Sequence, residues 1–353
     1  MITDIVSKTN IDSANLVKSR YNDVIIPASG ETAIDISTAR CVQYNDVLLG
    51  GDLNIIRLND GNDGSFFSYQ LNGVRKRDIA KVAQGVSVVH LYGENLKAIK
   101  VNSPELAEQN KISSLLCLID QRISTQNKII EDLKKLKSAI IDRIFCYPKE
   151  NEPSVRLNKY SKKWALVKLS DITERVKTKN MASQCSQVLT IAAQYGLVSQ
   201  TSFFNKSVAS ENLSGYFLLQ KGDFAYNKSY SGEYPWGTIK RLELYTQGVL
   251  SPLYICFKIN EKRVCSDYLA HYYESKKWYK GIANIAGEGA RNHGLLNISV
   301  GDFFNTTHRI PDTNEQNSIA IILNKISTKL KIEQKYIQLY LEQRNYLLQQ
   351  MFI

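Results

Sequence analysis

Apolar residues recur at alternating steps of four and three through two long stretches of this chain. The first stretch places Ile112, Leu116, Ile119, Ile123, Ile130, Leu133, Ile140 and Ile144 in one seam, interrupted by Gln126 and Lys137. The second places Ile319, Leu323, Ile326, Leu330, Ile337, Tyr340, Leu347 and Met351 likewise, interrupted by Glu333 and Arg344. A sustained 3.5-residue period predicts two helices that pair as a coiled coil. Pro104 and Pro311 suit first helical turns, with Ser103 as N-cap of the earlier helix. Some forty residues at about 1.5 Å each make a rod of about 60 Å. Elsewhere the pattern changes. Short apolar runs such as VLLGGDLNIIRL (47–58) and PLYICFKI (252–259), bounded by Gly, Asn and Asp, predict buried strands. The stretch 268–283 predicts one amphipathic helix.

The two helical stretches are copies. SPELAEQNKI (103–112) matches IPDTNEQNSI (310–319), and the same offset holds to the ends, where Ile144-Phe145 meets Met351-Phe352. The match extends backwards with small gaps. Ile79 and His90 fall on Ile282 and His293, residues 44–58 on 245–259, and Asn22-Asp23-Val24 on Gly222-Asp223-Phe224. The chain is therefore one unit repeated, a globular domain followed by a long helix. The opening of the second copy, WALVKLSDITERV (164–176), has no counterpart in the first, which lacks about 40 residues by this measure. The boundaries are a first domain over 1–102, a spacer helix over 103–147, a second domain over 148–310 and a second spacer helix over 311–353. The fold class is α/β in the α+β sense, two mixed domains joined through paired helices. Two repeats around a pseudo-dyad predict antiparallel helices. Matching polar to polar sets Gln126 against Arg344 and Lys137 against Glu333. It also sets Ile130 against Tyr340, Leu133 against Ile337, Ile140 against Leu330 and Ile144 against Ile326.

Charge separates the copies. The net charge is +11, yet Lys and Arg cancel Asp and Glu over 1–103 and again over 104–154. Residues 155–310 hold twenty-one basic against eleven acidic side chains. A concentrated excess of that kind suits a polyanion partner; a merely basic, soluble surface is the other reading. Six scattered cysteines without a CxxC pair indicate neither zinc nor a disulfide framework, and reduced thiols in a cytoplasmic protein are expected. No apolar run is long enough to predict a membrane span.

Enzymatic signatures are missing. The sequence contains no phosphate-binding loop, no Asn-Pro-Pro-Tyr or Asp-Pro-Pro-Tyr adenine-methylation motif and no G-x-S-x-G elbow. His90, His271, His293 and His308 show no metal-ligand spacing. The expectation is a chain without catalysis, metal or cofactor of its own.

Tandem domains that each close on a P-x-x-x-E-Q-x-x-I helix resemble the specificity subunit of type I restriction–modification systems. KGDFAYNKS (221–229), WALVKLSDI (164–172), residues 22–35 and residues 78–101 carry the resemblance further, so that it covers nearly the whole chain. It implies two target recognition domains, each reading one half of a split site in double-stranded DNA, with the helices as spacer. It also implies two docked methyltransferase subunits and, through them, motor-nuclease subunits. Those partners would use S-adenosylmethionine, ATP and Mg. The short first domain departs from the pattern. It leaves open a half-site reader that self-dimerises, or an assembly scaffold; an unrecognised nuclease or methyltransferase is the alternative of a different class.

Base edges are read by Arg, Lys, Asn, Gln and Ser, and phosphates by Lys, Arg and backbone N–H groups. In the second domain these types cluster in a loop over 227–237 and another over 287–294. Lys228, Tyr230, Lys240 and Arg241 are the candidates from the first, and Arg291, Asn292 and His293 from the second. Lys276, Lys277 and Lys280 precede the second loop as phosphate contacts or as a solvated face. Tyr234 and Trp236 suit packing equally well. The equivalents in the first domain are Ser29 and Thr32, then Gln84 and Ser87, with Arg75, Lys76, Arg77 and Lys81 as the basic helix.

Overall fold

The structure is a computed structural model that describes residues 1–2, 4–10, 16–181, 183–204, 212–287 and 294–352. It divides into two compact units, one of residues 1–131 with 331–353 and the other of residues 132–330. The division does not follow the copies of the repeat. Each unit joins one globular domain to one end of each long helix.

The first globular domain runs β1 (Val24–Pro27), β2 (Ser29–Gly30), α1 (Ala33–Ile36), β3 (Arg40–Cys41), β4 (Leu53–Ile56), α2 (Gly64–Asn72), α3 (Lys76–Val82), β5 (Val89–His90) and α4 (Gly93–Leu96). Helix α5 (Leu106–Ile144) follows. The second domain opens with β6 (Ala165–Lys168), α6 (Leu169–Ile172), β7 (Thr173–Arg175), β8 (Leu189–Ala192), β9 (Gly196–Ser199) and α7 (Gln200–Phe204). It continues with β10 (Phe217–Gln220), β11 (Phe224–Asn227), β12 (Thr238–Arg241), β13 (Gln247–Leu250) and β14 (Ile255–Ile259). Then come α8 (Ser266–Glu274), α9 (Tyr279–Ile285), α10 (Val300–Asn305), β15 (Thr307–Ile310) and helix α11 (Thr313–Gln350). The single helix expected over 268–283 is two, because Ser275–Trp278 breaks between α8 and α9.

The central sheets repeat. In the first domain the order is β3-β1-β4, with Val24 paired to Cys41 on one side and Ile56 on the other. In the second it is β12-β11-β14-β7, with Phe224 paired to Arg241 and Phe257. The turn entering the central strand is also repeated. Asn22 and Gly222 both adopt positive φ, and the carboxylates of Asp23 and Asp223 accept the N–H of Arg20 and Gln220, each at 2.8 Å. Asparagine tolerates the left-handed region better than other side chains, which is why it can stand where the other copy has glycine.

The Glu-Gln motif acquires a physical role. Gln316 accepts the N–H of Cys265, the residue capping α8, at 2.8 Å and donates to the carbonyl of Pro311 at 2.9 Å. Gln109 does the same for Asp63, which caps α2, at 2.9 Å and for the carbonyl of Pro104 at 2.7 Å. One buried amide thus ties each long helix to the start of a domain helix. The prolines lie two residues before the helices and serve as acceptors, a correction to their expected place in the first turn.

The heptad positions are the shielded ones. Ile112, Leu116, Ile119, Gln126, Ile130 and Ile144 are buried on α5, as are Ile319, Leu323 and Glu333 on α11. Within the first unit the helices run in opposite directions, since Asp120 meets Arg344 and Gln126 meets Glu333. That pairing corrects the expected register. Gln126 donates to the Glu333 carboxylate and, at 3.2 Å, to its carbonyl, rather than facing Arg344. Arg344 instead bonds Asp120 at 2.5 Å, and in the second unit Lys137 pairs with Glu274 of α8 at 2.7 Å. Burial is the reason. A carboxylate shielded from water needs donors, and a cation needs an anion more than an amide. In the first unit the observed register also sets Ile130 away from Tyr340; in the second, Ile144 shares a core with Ile319 and Leu323.

The second domain's core is rich in aromatic rings, among them Tyr226, Phe257, Tyr268, Tyr272, Trp278 and Phe303. His308 sits among them, with Tyr272 Oη at 3.0 Å from Nδ1 and Thr306 Oγ1 at 3.0 Å from Nε2. Burial holds its pKa down at about 4. The unfolded chain therefore takes up this proton first as pH falls. Stability from the neutral ring is full above about pH 6.5 and is lost as pH falls toward the folded value, by roughly 3 kcal/mol in all. Urea titrations at neutral and mildly acidic pH are expected to show this loss, and His308→Gln is expected to flatten it.

Candidate nucleic-acid interface

In the second domain the two glycine-containing loops meet. The loop after β11 runs beside the segment that closes the second loop: Ser229 bridges Leu295, the N–H of Tyr230 donates to Gly294 at 3.2 Å, and the N–H of Leu296 donates to Lys228 at 2.9 Å. The first domain makes the same junction. Ser29 and Gly30 of β2 pair with His90 and Val89 of β5, and Gln84 bridges His90. Two loops some sixty residues apart in sequence are thus joined by main-chain bonds in each copy. Main-chain pairing fixes loop geometry without fixing side chains, so each copy is free to carry different side chains on one frame.

Gly237 closes the first loop at φ +77°, where a Cβ would lie 2.2 Å from the Asn227 carbonyl oxygen. The backbone approaches too closely for any side chain. Gly237→Ala is expected to cost at least about 1–2 kcal/mol from the left-handed conformation alone. The loop would have to move away from β11, and limited proteolysis at 228–236 measures that. Trp236 and Tyr230 are half-buried against the aromatic core, and Tyr226 Oη donates to the Trp236 carbonyl at 2.9 Å.

The predicted contacts divide. Lys228 is half-buried at the junction, and Lys276 and Lys280 are exposed; none of the three has an ion-pair partner among the described residues. Arg241 is a correction: it bonds Asp267 at 2.7 Å, Glu243 at 2.9 Å and Ser266 at 2.8 Å, and so braces β12 against α8. Lys277 is another. It is buried, lies 3.2 Å from Asp142, and its ammonium sits 4.5 Å from the centre of the Tyr147 ring. Both cations were read as surface groups because Asp267 and Asp142, which draw them inward, lie far from them in sequence. Lys240 is half-buried, and desolvation lowers its pKa. Arg291, Asn292 and His293 lie outside the described residues.

In the first domain Gln84 and Ser87 are exposed beside the β2–β5 junction. Ser29 donates to Asp52, and Thr32 caps α1 by accepting the N–H of Asp35 at 3.2 Å. Arg75 and Lys81 both pair with Asp78, at 3.6 and 3.2 Å, and Lys76 donates to Thr38 at 3.2 Å; Arg77 is exposed. His90 was singled out only as a mark of the repeat. It lies in the junction itself, exposed and stacked on Tyr92 with ring centroids 6.2 Å apart. Lys179 was missed altogether. It lies 3.5 Å over the Phe217 ring and is held by the Gly215 carbonyl at 2.7 Å. A basic residue within an unpatterned stretch gives no signal that it will cover an aromatic ring.

No group of three or more His, Cys, Asp or Glu among the described residues is placed to hold a metal ion. All six cysteines are free thiols. No described helix is long and apolar enough to cross a membrane.

Residues 4–135 match the model of the type I restriction modification DNA specificity domain. A stretch of 156 residues, 43% of the chain, is 22% identical to the type I restriction enzyme MjaVIII specificity subunit of Methanocaldococcus jannaschii and covers 36% of that protein's length. The solved S subunit of a type I restriction–modification system from M. genitalium superimposes with a TM-score of 0.58 at 16% identity. The superposition covers 94% of this chain and 83% of that one. A specificity subunit from Thermoanaerobacter tengcongensis covers 95% of the chain and 81% of its own at 13% identity, with a TM-score of 0.47.

Proposed function

We propose that the chain, whose residues 4–135 match the type I restriction modification DNA specificity domain, acts as a specificity subunit that selects DNA sequence for a multisubunit enzyme without catalysing the reaction itself. Each domain reads one half of a split site through its paired loops. The observation that carries this reading is the duplicated junction, Ser29–His90 in one domain and Ser229–Leu295 in the other. It provides two similar platforms on which different side chains would read different bases. Lys228 and Arg291 are the proposed principal contacts of the second domain, and Gln84 and Ser87 those of the first. Lys276 and Lys280 hold phosphates.

The helices supply the spacer and a docking face. Leu115, Leu118, Ile129 and Leu136 are exposed along one stripe of α5, and Ile332, Tyr336, Leu339 and Tyr346 along one stripe of α11. Exposed apolar stripes of this kind suit protein partners. In this reading they take two methyltransferase subunits, with motor-nuclease subunits joining through them. S-adenosylmethionine, ATP and Mg would be bound by those partners.

Co-expression with a cognate methyltransferase subunit in a methylation-free host, followed by single-molecule sequencing, tests the proposal. An asymmetric two-part motif with a fixed gap is the expected result. A palindromic motif would instead show two copies pairing through their second domains, a reading favoured by the first domain's lack of net charge. Stable assembly with unselective modification, or none, would overturn sequence reading by this chain.

A further inference from the structure

The loop that enters β5 in the first domain differs in chemistry from its counterpart in the second. Residues 84–93 contain no Lys, Arg, Asp or Glu, whereas residues 287–294 of the other copy contain Glu288 and Arg291. The first-domain loop is closed at its base by reciprocal main-chain bonds. The N–H of Gln84 donates to the His90 carbonyl at 2.8 Å, and the N–H of His90 donates back to the Gln84 carbonyl at 2.7 Å. Gly85 adopts φ +119°, and a Cβ there would lie 2.1 Å from the Val88 carbonyl oxygen, so the turn is tight. Val89 and Leu91 leave it for the core. Their neighbours go the other way: Val86 is 98% exposed, Val88 53% and Tyr92 54%.

A single exposed valine on a surface needs no explanation. Two on one tightly closed tip, in a loop that the proposed function turns toward DNA, do. The edges of the base pairs narrow what such a tip can gain from. In the major groove they present hydrogen-bond donors and acceptors and one apolar group, the C5-methyl of thymine. A valine side chain neither donates nor accepts. Against a guanine or cytosine edge it would take polar atoms out of water without replacing their bonds. Against a methyl group, apolar surface leaves water on both sides. Gln84, exposed at the base of the same loop, suits adenine. The lack of charge on the tip fits contact with a base rather than with a phosphate.

We propose that Val86, with Val88 on the same tip, recognises the C5-methyl of a thymine in the major groove of the half-site that the first domain reads. The inference rests on the reading of this chain as a selector of DNA sequence, and it names the base and the residue for one half of the site. The closed base of the loop holds the tip in place before DNA arrives, so that little ordering remains to be done on binding. The two copies then present one frame with different tips, valine here and Arg291 in the sequence of the other.

The test uses the full chain, purified with its co-expressed methyltransferase subunit, and duplexes of the motif it selects in which deoxyuridine replaces thymine one position at a time. Uracil keeps the hydrogen-bonding atoms of thymine and lacks only the methyl. At a position in one half-site the exchange is expected to weaken binding about fourfold, the effect of losing one buried methyl group. Val86→Ala should remove that sensitivity and leave the thymines of the other half-site as they were. Val86 stands in water, so the variant keeps the fold, and thermal unfolding checks it. Sensitivity to uracil that Val86→Ala leaves unchanged overturns the proposal. So does a variant that loses the methyltransferase subunit with its thymine preference intact, which would mark the tip as a protein contact. A chain that selects no sequence overturns the wider reading and this inference together. A selective chain blind to uracil in both half-sites overturns this inference alone.

Discussion

Replacing Arg156 by alanine is expected to destabilise the second unit by about 3–5 kcal/mol, whereas Glu108→Ala in the first is expected to change stability by less than about 0.5 kcal/mol. The two changes strike equivalent places of the repeat, an ion pair in the second unit and, in the first, a carboxylate without an ion-pair partner among the described residues. Glu315 is 1% exposed, and Arg156 satisfies both of its oxygens. Removing the guanidinium leaves a carboxylate shielded from water with its main partner gone, which costs far more than an exposed pair is worth. Glu108 already stands in water without such a partner, so its carboxylate has nothing to lose. Urea unfolding of each variant measures the difference. Equal effects would mean that the two copies are more alike than this structure shows, with Glu108 paired in solution.

Phe352→Ala is expected to destabilise the first unit by about 3–5 kcal/mol, the range for truncating a buried phenylalanine. Its ring is 3% exposed and lies 5.1 Å from that of Phe66 in α2, beside Leu348. Phe145 is its counterpart in the second unit, with ring centroids 5.3 Å from Tyr268 and 5.6 Å from Tyr272 of α8. Each long helix therefore begins against one domain through its glutamine and ends against the other through its phenylalanine. Loss of Phe352 removes the second anchor of α11 while Gln316 keeps the first. Proteolysis should then cut α11 near its end in the variant and spare it in the parent. In the co-expression assay, discrimination at the half-site read by the first domain should weaken while that of the second persists. A variant as stable as the parent would show that Phe352 is not an anchor.

Much of the plan is written in the order of residues. The heptad spacing marks which positions of α5 and α11 are shielded, because a 3.5-residue period leaves one stripe facing a neighbour whatever that neighbour is. The internal repeat shows two copies of one unit, with glycine-bearing loops at matching places in both. The Glu-Gln motif is visible as a pattern, but its task is not. That Gln109 and Gln316 hold the N–H groups of the residues capping α2 and α8 depends on groups some fifty residues away.

What the sequence alone determined is local and periodic: helix length, apolar seam, repeat boundaries, the candidate loops and where basic charge collects. These follow from near neighbours along the chain. The tertiary structure decided everything that depends on a distant partner. It moved Arg344 to Asp120 and Gln126 to Glu333, because buried polar groups choose partners by charge and donor count rather than by symmetry. It drew Arg241 and Lys277 into internal ion pairs and brought the loop after β11 to Leu295. It also lined one groove with side chains of β4, α2 and residues 96–103, which only folding brings to the same place.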